Sequence, residues 1–360
     1  MRFIALFVLV FLLPFPLHAG DAPRNIILLI GDGMGLAQIS AARKIRKDLS
    51  ITQIKQIALM STDSADDYVT DSAASATAMA GGVKTNNGFI GLDPNKKRLK
   101  NIFEIAKEKG LQTAVIATSR ITHATPAAFV AHVDSREKEL DIALQLSQSS
   151  VDLLLGGGAD MFLPHKGLGG KRNDGRNLLQ KQGNDKLITR SVHQYLSSDR
   201  LPQLALIETD DLPRARNRHY SLGQLLQKAL SLLEKEKRGF LIMIEGSQID
   251  WGGHKKDLDY VIEEMLDFDS AVNIALQYAK KDPHTLVLVT GDHETGGLSL
   301  LAYDKSVNRF NGYSFASRHH SGTLIPLFSF GPGSEQFQGL MENSTLGKHL
   351  VDIISSQKTK

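Results

Sequence analysis

The chain has 360 residues, of which 42% are hydrophobic and 22% charged, with a formal net charge of +3 and no cysteine. That content buries a substantial core and excludes a disordered chain, and the length accommodates one large α/β domain or two ordinary ones. So small a charge balance argues neither for nor against nucleic acid or membrane and does not repel an anionic substrate, while the lack of cysteine rules out disulfides and thiol-linked lipid.

In chain order, Arg2 precedes an unbroken apolar run, Phe3 to Leu13, followed by Pro14, Pro16 and the small-residue site Leu17-His18-Ala19-Gly20. This reads as a secretory signal peptide over residues 1–19. A membrane anchor is the rival, but the run is short against the roughly 20 residues of a span. The mature chain, 20–360, is then periplasmic or secreted and keeps no stable membrane anchor. Asn25 to Ile30 is a buried strand by length and β-branched content, closed by Gly31-Asp32-Gly33. Similar runs are Thr113–Thr118, Val151–Leu155, Phe240–Glu245, Thr285–Thr290 and Leu324–Phe330. Helical patterns lie between them: Asn101 to Lys109, Ser221 to Arg238 with Ser221 and Gln224 in capping-box spacing, and Leu258 to Lys280. Strands alternating with helices predict a mostly parallel sheet with helices on both faces. The stretch 163–212 is polar and weakly periodic, and reads as an excursion from the sheet within one domain. Its basic pair Lys171-Arg172 reads as a solvated surface.

Ligands in open α/β sheets bind beyond the carboxyl ends of the strands, and those ends carry an unusual load here. Asp32 follows the first strand. Glu245 ends another and precedes Gly246-Ser-Gln-Ile-Asp250-Trp-Gly-Gly-His254, Asp292-His293-Glu294 follow Gly291, and His319-His320 stand before the last strand. Each has an ordinary structural explanation alone: Asp32 as a turn residue, Asp292 as a helix cap, His319 and His320 as an exposed pair. Asp250 and His254 have i, i+4 spacing, but Gly252-Gly253 favours a loop there. Jointly the ordinary explanations weaken, because several strand ends must acquire carboxylate and imidazole independently. Mixed Asp/His ligation suits zinc-like ions, and two sites about 4 Å apart make a phosphoryl-transfer clamp. Asp71-Ser72 opens an Ala-rich segment, predicting a helix whose first turn presents Ser72 at an anion-binding N-terminus. A small-residue helix packed on the sheet, with Ser72 as a cap, fits the same pattern.

Together the motifs resemble the alkaline phosphatase family. Gly31-Asp32-Gly33-Met34-Gly35 looks like its first metal motif, and Asp71-Ser72-Ala-Ala-Ser-Ala-Thr-Ala looks like its nucleophile segment. His123-Ala-Thr125-Pro-Ala, Ala131-His-Val-Asp-Ser-Arg136, Glu245 through His254, Gly291-Asp292-His293 and His320-Ser-Gly322 follow in family order, from 26 to about 333. The resemblance implies a three-layer α/β/α sandwich and a phosphomonoesterase with Ser72 as nucleophile. It further implies one zinc on Asp250, His254 and His320, and a second on Asp32, Asp292 and His293 with the Ser72 oxygen. A third ion, usually magnesium, would sit on Asp32, Thr125 and Glu245. His123 and Trp251 stand beside that third site, where a histidine is compatible with magnesium, with a zinc- or cobalt-like ion, or with water. Arg136, with Asp71, would bind substrate, the guanidinium gripping two phosphate oxygens. His319 is set aside, because the match places Ser321-Gly322 directly after the ligand. The expected partners are small phosphate monoesters, with no nucleic acid, and the resemblance implies a homodimer.

Two rivals remain at this stage. A diesterase or sulfatase of the same fold would share the metal sites, but Ser72 with Arg136 favours monoesters. A secreted non-catalytic binder of metal or phosphate would need neither residue.

Overall fold

The computed structural model describes residues 22–180, 187–235 and 237–357, so the signal-peptide reading of 1–19 lies outside the described residues. Fourteen strands are described: β1 (Asn25–Gly31), β2 (Gln56–Ser61), β3 (Gln112–Arg120), β4 (Leu153–Gly157), β5 (Ile188–Thr189), β6 (Leu204–Leu206), β7 (Phe240–Gly246), β8 (Thr285–Gly291), β9 (Glu294–Thr295), β10 (Leu298–Asp304), β11 (Arg309–Phe315), β12 (His320–Ser321), β13 (Ile325–Phe330) and β14 (Gly339–Glu342). The first six helices are α1 (Leu36–Ile45), α2 (Ser72–Gly81), α3 (Ile102–Glu108), α4 (Ala124–Ala128), α5 (Glu139–Gln148) and α6 (Ala159–Phe162). After them come α7 (His165–Leu168), α8 (Val192–Ser197), α9 (Leu222–Leu233), α10 (Gln248–Lys255), α11 (Leu258–Lys281) and α12 (Asn343–Ser356).

Ten strands form one sheet in the order β14-β2-β13-β8-β1-β7-β3-β4-β6-β5. Within it β13 runs antiparallel to both its neighbours, and the other pairs are parallel. Every residue of β1, β7 and β8 is buried. A parallel strand covered on both faces has no polar side to show, so its sequence is a continuous apolar run. One face packs on α2, α3, α4, α5 and α12, the other on α1, α9, α10 and α11. The molecule is thus an α/β three-layer sandwich around a large, mostly parallel sheet.

Three local expectations are corrected. The helix from Ser221 stops at Leu233, well short of Arg238, although its capping box with Gln224 is present. Residues 248–255 form helix α10, not a loop. Gly252 and Gly253 serve close packing there: a Cβ on the first would come 2.8 Å from the Val261 backbone nitrogen, and one on the second 2.9 Å from the Thr295 carbonyl oxygen. Arg172 is buried, donating to the carbonyls of Leu140 and Met161 and pairing with Asp174, so the Lys171-Arg172 pair is not simply solvated. Within 163–212, β6 pairs with β4 and β5 with β6, which extends the sheet at its edge.

Candidate active site

The parallel register lines up the carboxyl ends of the central strands. Gly31 of β1 stands beside Gly246 of β7 and Gly291 of β8. Asp32, Glu245 and Asp292 therefore emerge at one level, all buried. Gly33, at φ 77°, lets the chain turn where a Cβ would lie 2.6 Å from the Asp250 Cα. That close approach brings α10 against the end of β1.

Ligand-type atoms converge in three groups, each within 4.8 Å: Asp250, His254 and His320; Asp32, Asp292 and His293; Asp32, His123 and Glu245. In the first, His254 Nε2 is 3.1 Å and His320 Nε2 3.5 Å from the Asp250 carboxylate. In the second, His293 Nε2 is 3.2 Å from Asp292 and 3.5 Å from Asp32. The His293 and His320 rings stack at 3.5 Å between centroids, so the two groups adjoin. Asp32 belongs to both the second and the third. Thr125, in α4, is buried and lies near Glu245. His123 precedes α4, its ring edge-on to Trp251 at 6.3 Å. His319 is exposed and in none of the groups.

The electrostatics call for cations. Burial and the neighbouring Asp292, Asp250 and Glu245 hold Asp32 well above the ordinary carboxylate range. Burial also pushes Glu245 up to about 7, partly offset by nearby hydroxyls, and Asp292 up to about 8. Asp250 goes the other way: burial opposes its charge, but the His254 hydrogen bond and the surrounding histidines hold it low. Burial pushes His293 and His320 down and His123 to about 3, so these rings are neutral bases. Both Asp32 oxygens, Asp292 Oδ2, Glu245 Oε1, Thr125 Oγ1 and His123 Nδ1 are buried without a hydrogen-bond partner. Buried acceptors without donors are costly unless a cation meets them. The rings are also aimed: His254 Nδ1 lies 2.5 Å from the Arg318 carbonyl and His320 Nδ1 2.9 Å from that of Thr70. Donation there leaves each Nε2 lone pair for a metal, the usual support of a ligating imidazole. The residues present fit divalent ions.

Ser72 is the first residue of α2, and its Oγ lies 3.3 Å from His293 Nε2. Asp71 caps the helix by accepting from Ala74 N at 2.9 Å, while its other oxygen accepts from Gly88 N and from Arg136 Nη1 at 3.0 Å. One carboxylate thus sets both the serine and the guanidinium. Arg136 Nη2 reaches to 3.4 Å from His123 Nε2. The helix is small-residue because it must be: residues 72–80 are all buried, and Ser75 Oγ donates to the Asp292 carbonyl at 2.7 Å.

Two residues of this centre were given no role from the sequence, although Glu294 stands in the Asp292-His293-Glu294 run. Thr295 donates to Asp250 and sits 3.2 Å from His293 Nδ1, linking the first two groups. Glu294 accepts from Gln38, Gly297, Leu298 and Ser321. The antiparallel bridge of Ser321 to Glu294 and His320 to Thr295 fixes His320 against His293. Their signal was adjacency, since Glu-Thr follows Asp292-His293 directly.

The comparisons agree with this geometry. A sequence profile of the family "Alkaline phosphatase" matches residues 23–311. Alkaline phosphatase 4 of Bacillus subtilis is 32% identical over 423 aligned positions, covering 93% of this chain and 89% of that protein. The chain belongs to the alkaline phosphatase family. The Escherichia coli alkaline phosphatase is 32% identical, with 91% of this chain and 85% of that one covered. Among solved structures, the alkaline phosphatase of the Antarctic bacterium TAB5 is 38% identical with a TM-score of 0.85, covering 94% of this chain and 99% of that one. As a member of the alkaline phosphatase family the chain is a phosphatase, a hydrolase of phosphate monoesters with metal-binding groups. Among its described residues no helix is long and apolar enough to cross a membrane.

Proposed function

We propose that the mature chain is a secreted or periplasmic, metal-dependent phosphomonoesterase that releases inorganic phosphate through a phosphoserine on Ser72. The observation that carries this reading is the Ser72 hydroxyl on the first turn of α2, 3.3 Å from His293 Nε2 at the edge of the clustered carboxylates and imidazoles. Asp250, His254 and His320 would hold one zinc; Asp32, Asp292 and His293, with the Ser72 oxygen, a second. Asp32, Thr125 and Glu245 would hold magnesium, with His123 and Trp251 beside it. Magnesium is assigned from the oxygen donors Asp32, Thr125 and Glu245. A TAB5 variant with aspartate in place of a histidine has Mg bound in its M3 site, whereas this chain keeps His123 in the third group, so a zinc- or cobalt-like ion is the alternative there. Homodimerisation and cleavage of the leader near Gly20 belong to the same reading, supported by the family likeness and by the composition of 1–19.

When bound, such ions supply positive charge to the serine oxygen, the leaving oxygen and the attacking water. The chain supplies the rest. Ser72 Oγ would bond phosphorus as the ester P–O bond breaks, its proton passing through solvent to the departing alcohol. Water would then attack phosphorus, the Ser72 Oγ–P bond would break, and one water proton would return to Ser72 as phosphate departs. Asp71 keeps the Arg136 fork facing the non-bridging oxygens, where its planar donors match two of them. The amides at the start of α2 add a favourable field for the same anion. The transition state is loose, so positioning and electrostatics provide most of the rate.

The test is hydrolysis of an aryl phosphate monoester at alkaline pH by purified mature protein. Beside it run Ser72→Ala and a chelated sample restored with zinc and magnesium. Loss of activity in both, with recovery on adding metal, is expected. Inert metal-replete protein, or an active Ser72→Ala, overturns the reading.

A further inference from the structure

The loop carrying His123 and Thr125 has few holds of its own. Helix α4 has no side-chain cap, and Thr125 Oγ1 and His123 Nδ1 have no hydrogen-bond partner. What fixes the loop lies just upstream, at Arg120, the last residue of β3. Its guanidinium grips Glu139 of α5 in a bidentate pair, Nε to Oε2 at 3.0 Å and Nη2 to Oε1 at 3.1 Å. Nη1 donates to Asp211 at 2.7 Å and to Asp210 at 3.1 Å. The same Asp211 accepts from the Arg120 backbone N–H at 2.8 Å, and Glu139 also accepts from Thr122 Oγ1 at 2.6 Å. The Arg120 carbonyl in turn accepts from His123 N at 2.9 Å. The clamp is only a fifth to a quarter exposed at Arg120, Glu139 and Asp211.

Asp210 and Asp211 come from the end of the polar stretch 163–212, and the backbone there is locked too. Gly158 N donates to the Asp210 carbonyl at 2.8 Å, and a Cβ on Gly157 would fall 1.8 Å from that oxygen. Gln248 Nε2 joins the Leu212 and Thr118 carbonyls, two residues before Asp250. Three carboxylates on one arginine exceed what pairing that charge requires, and the surplus stands beside the loop that presents His123 and Thr125.

We propose that Arg120, clamped by Glu139 and Asp211, is a positioning residue for the third ion, and that the polar stretch acts on the site through this clamp. This rests on the reading that Asp32, Thr125 and Glu245, with His123 beside them, hold a cation. Residues that orient ligands from behind typically set metal affinity by about 10- to 100-fold. Lysine at position 120 would keep the charge but lose the planar fork that bridges Glu139 and Asp211.

The test is calorimetric titration of Mg2+ into zinc-loaded protein, with zinc per chain measured by elemental analysis, for the parent, Asp211→Asn and Arg120→Lys. Expected is a Mg2+ dissociation constant raised by about 10-fold or more in both variants, with zinc content unchanged and activity recovered at high Mg2+. A variant whose Mg2+ affinity stays within about twofold of the parent, or which loses zinc in parallel, overturns the proposal. Should Asp211→Asn fail to fold, Arg120→Lys decides alone. A parent that holds no more than two zinc ions per chain and binds no Mg2+ removes the third ion itself, and the proposal with it, while leaving the phosphatase reading intact.

Discussion

Stripping the ions should make the protein's stability depend on pH in a way the metal-loaded protein does not. In the metal-free centre Glu245 titrates at about 7 and Asp292 at about 8, because burial opposes their ionisation. In the unfolded chain both would titrate near 4. Between those limits the native state binds more protons than the unfolded state, so the free energy of unfolding falls as pH rises. The stability is complete below about pH 4 and is lost on approaching pH 7–8. For Glu245 alone the loss is roughly 3 kcal/mol, and Asp292 adds in the same direction. Unfolding entropy for a chain of this size is roughly 0.7 kcal/mol per kelvin, so 3 kcal/mol is worth about 4 °C in Tm. Below about pH 6.5 the neutral His123, His293 and His320 work the other way, because the unfolded chain protonates them and the native centre does not. Calorimetry would therefore compare chelated and zinc- and magnesium-loaded protein at about pH 7 and about pH 9. Groups outside the centre cancel in the difference. Glu245 is already half ionised at the lower pH and Asp292 supplies most of the change, so the gap between loaded and stripped Tm should widen by about 2 °C from the lower to the higher pH. An equal gap at both values would refute the argument that these buried carboxylates need cations.

Arg136→Lys should lower kcat/KM for monoesters by about 10- to 100-fold, the equivalent of one charge-assisted hydrogen bond, with zinc content unchanged; an unaltered kcat/KM would count against the fork. Glu294→Gln replaces an acceptor of four donors with a group that itself donates. It should cost about 1–3 kcal/mol, read as a lower denaturant midpoint, and a wild-type midpoint would show that the bridge carrying His320 is held elsewhere. Gly347→Ala puts a methyl 2.3 Å from the Ala78 carbonyl of α2 and 2.7 Å from Gly82 N. The clash should destabilise the protein by about 1–3 kcal/mol, measured by urea unfolding, and a neutral result would show that α12 can shift away from α2.

The sheet's centre was legible because its physics is one-dimensional. A strand buried on both faces must be apolar throughout, and β1, β7 and β8 announce themselves. The edge was not: β2 alternates buried Ala58 and Met60 with exposed Ile57 and Leu59, and β14 is four mostly exposed residues, so neither gives a run. Helix α10 was hidden by Gly252 and Gly253, whose low propensity is overridden by packing against Val261 and Thr295. Most of the candidate ligands could be named from strand ends alone. Their grouping came only with the family resemblance, because Asp32, Asp292 and His293 meet through the register of β1 with β8, which no local pattern encodes.

The same distances explain why the proposed nucleophile, the ligand cluster and the proposed phosphate fork form one unit. Asp71 touches Ala74, Gly88 and Arg136, so any change there moves the helix that carries Ser72 together with the guanidinium that faces it. Ser75, one turn further along α2, is bonded to the Asp292 backbone, so the serine's height over the second ligand group is set by the end of β8. Thr295 then joins that group to Asp250. A binder of metal alone would need the carboxylates and imidazoles but no coupling of α2 to them. Here the hydrogen bonds running from Asp71 and Ser75 are what hold a hydroxyl and an arginine at fixed positions over the cluster. That arrangement suits in-line displacement at phosphorus better than storage of a metal.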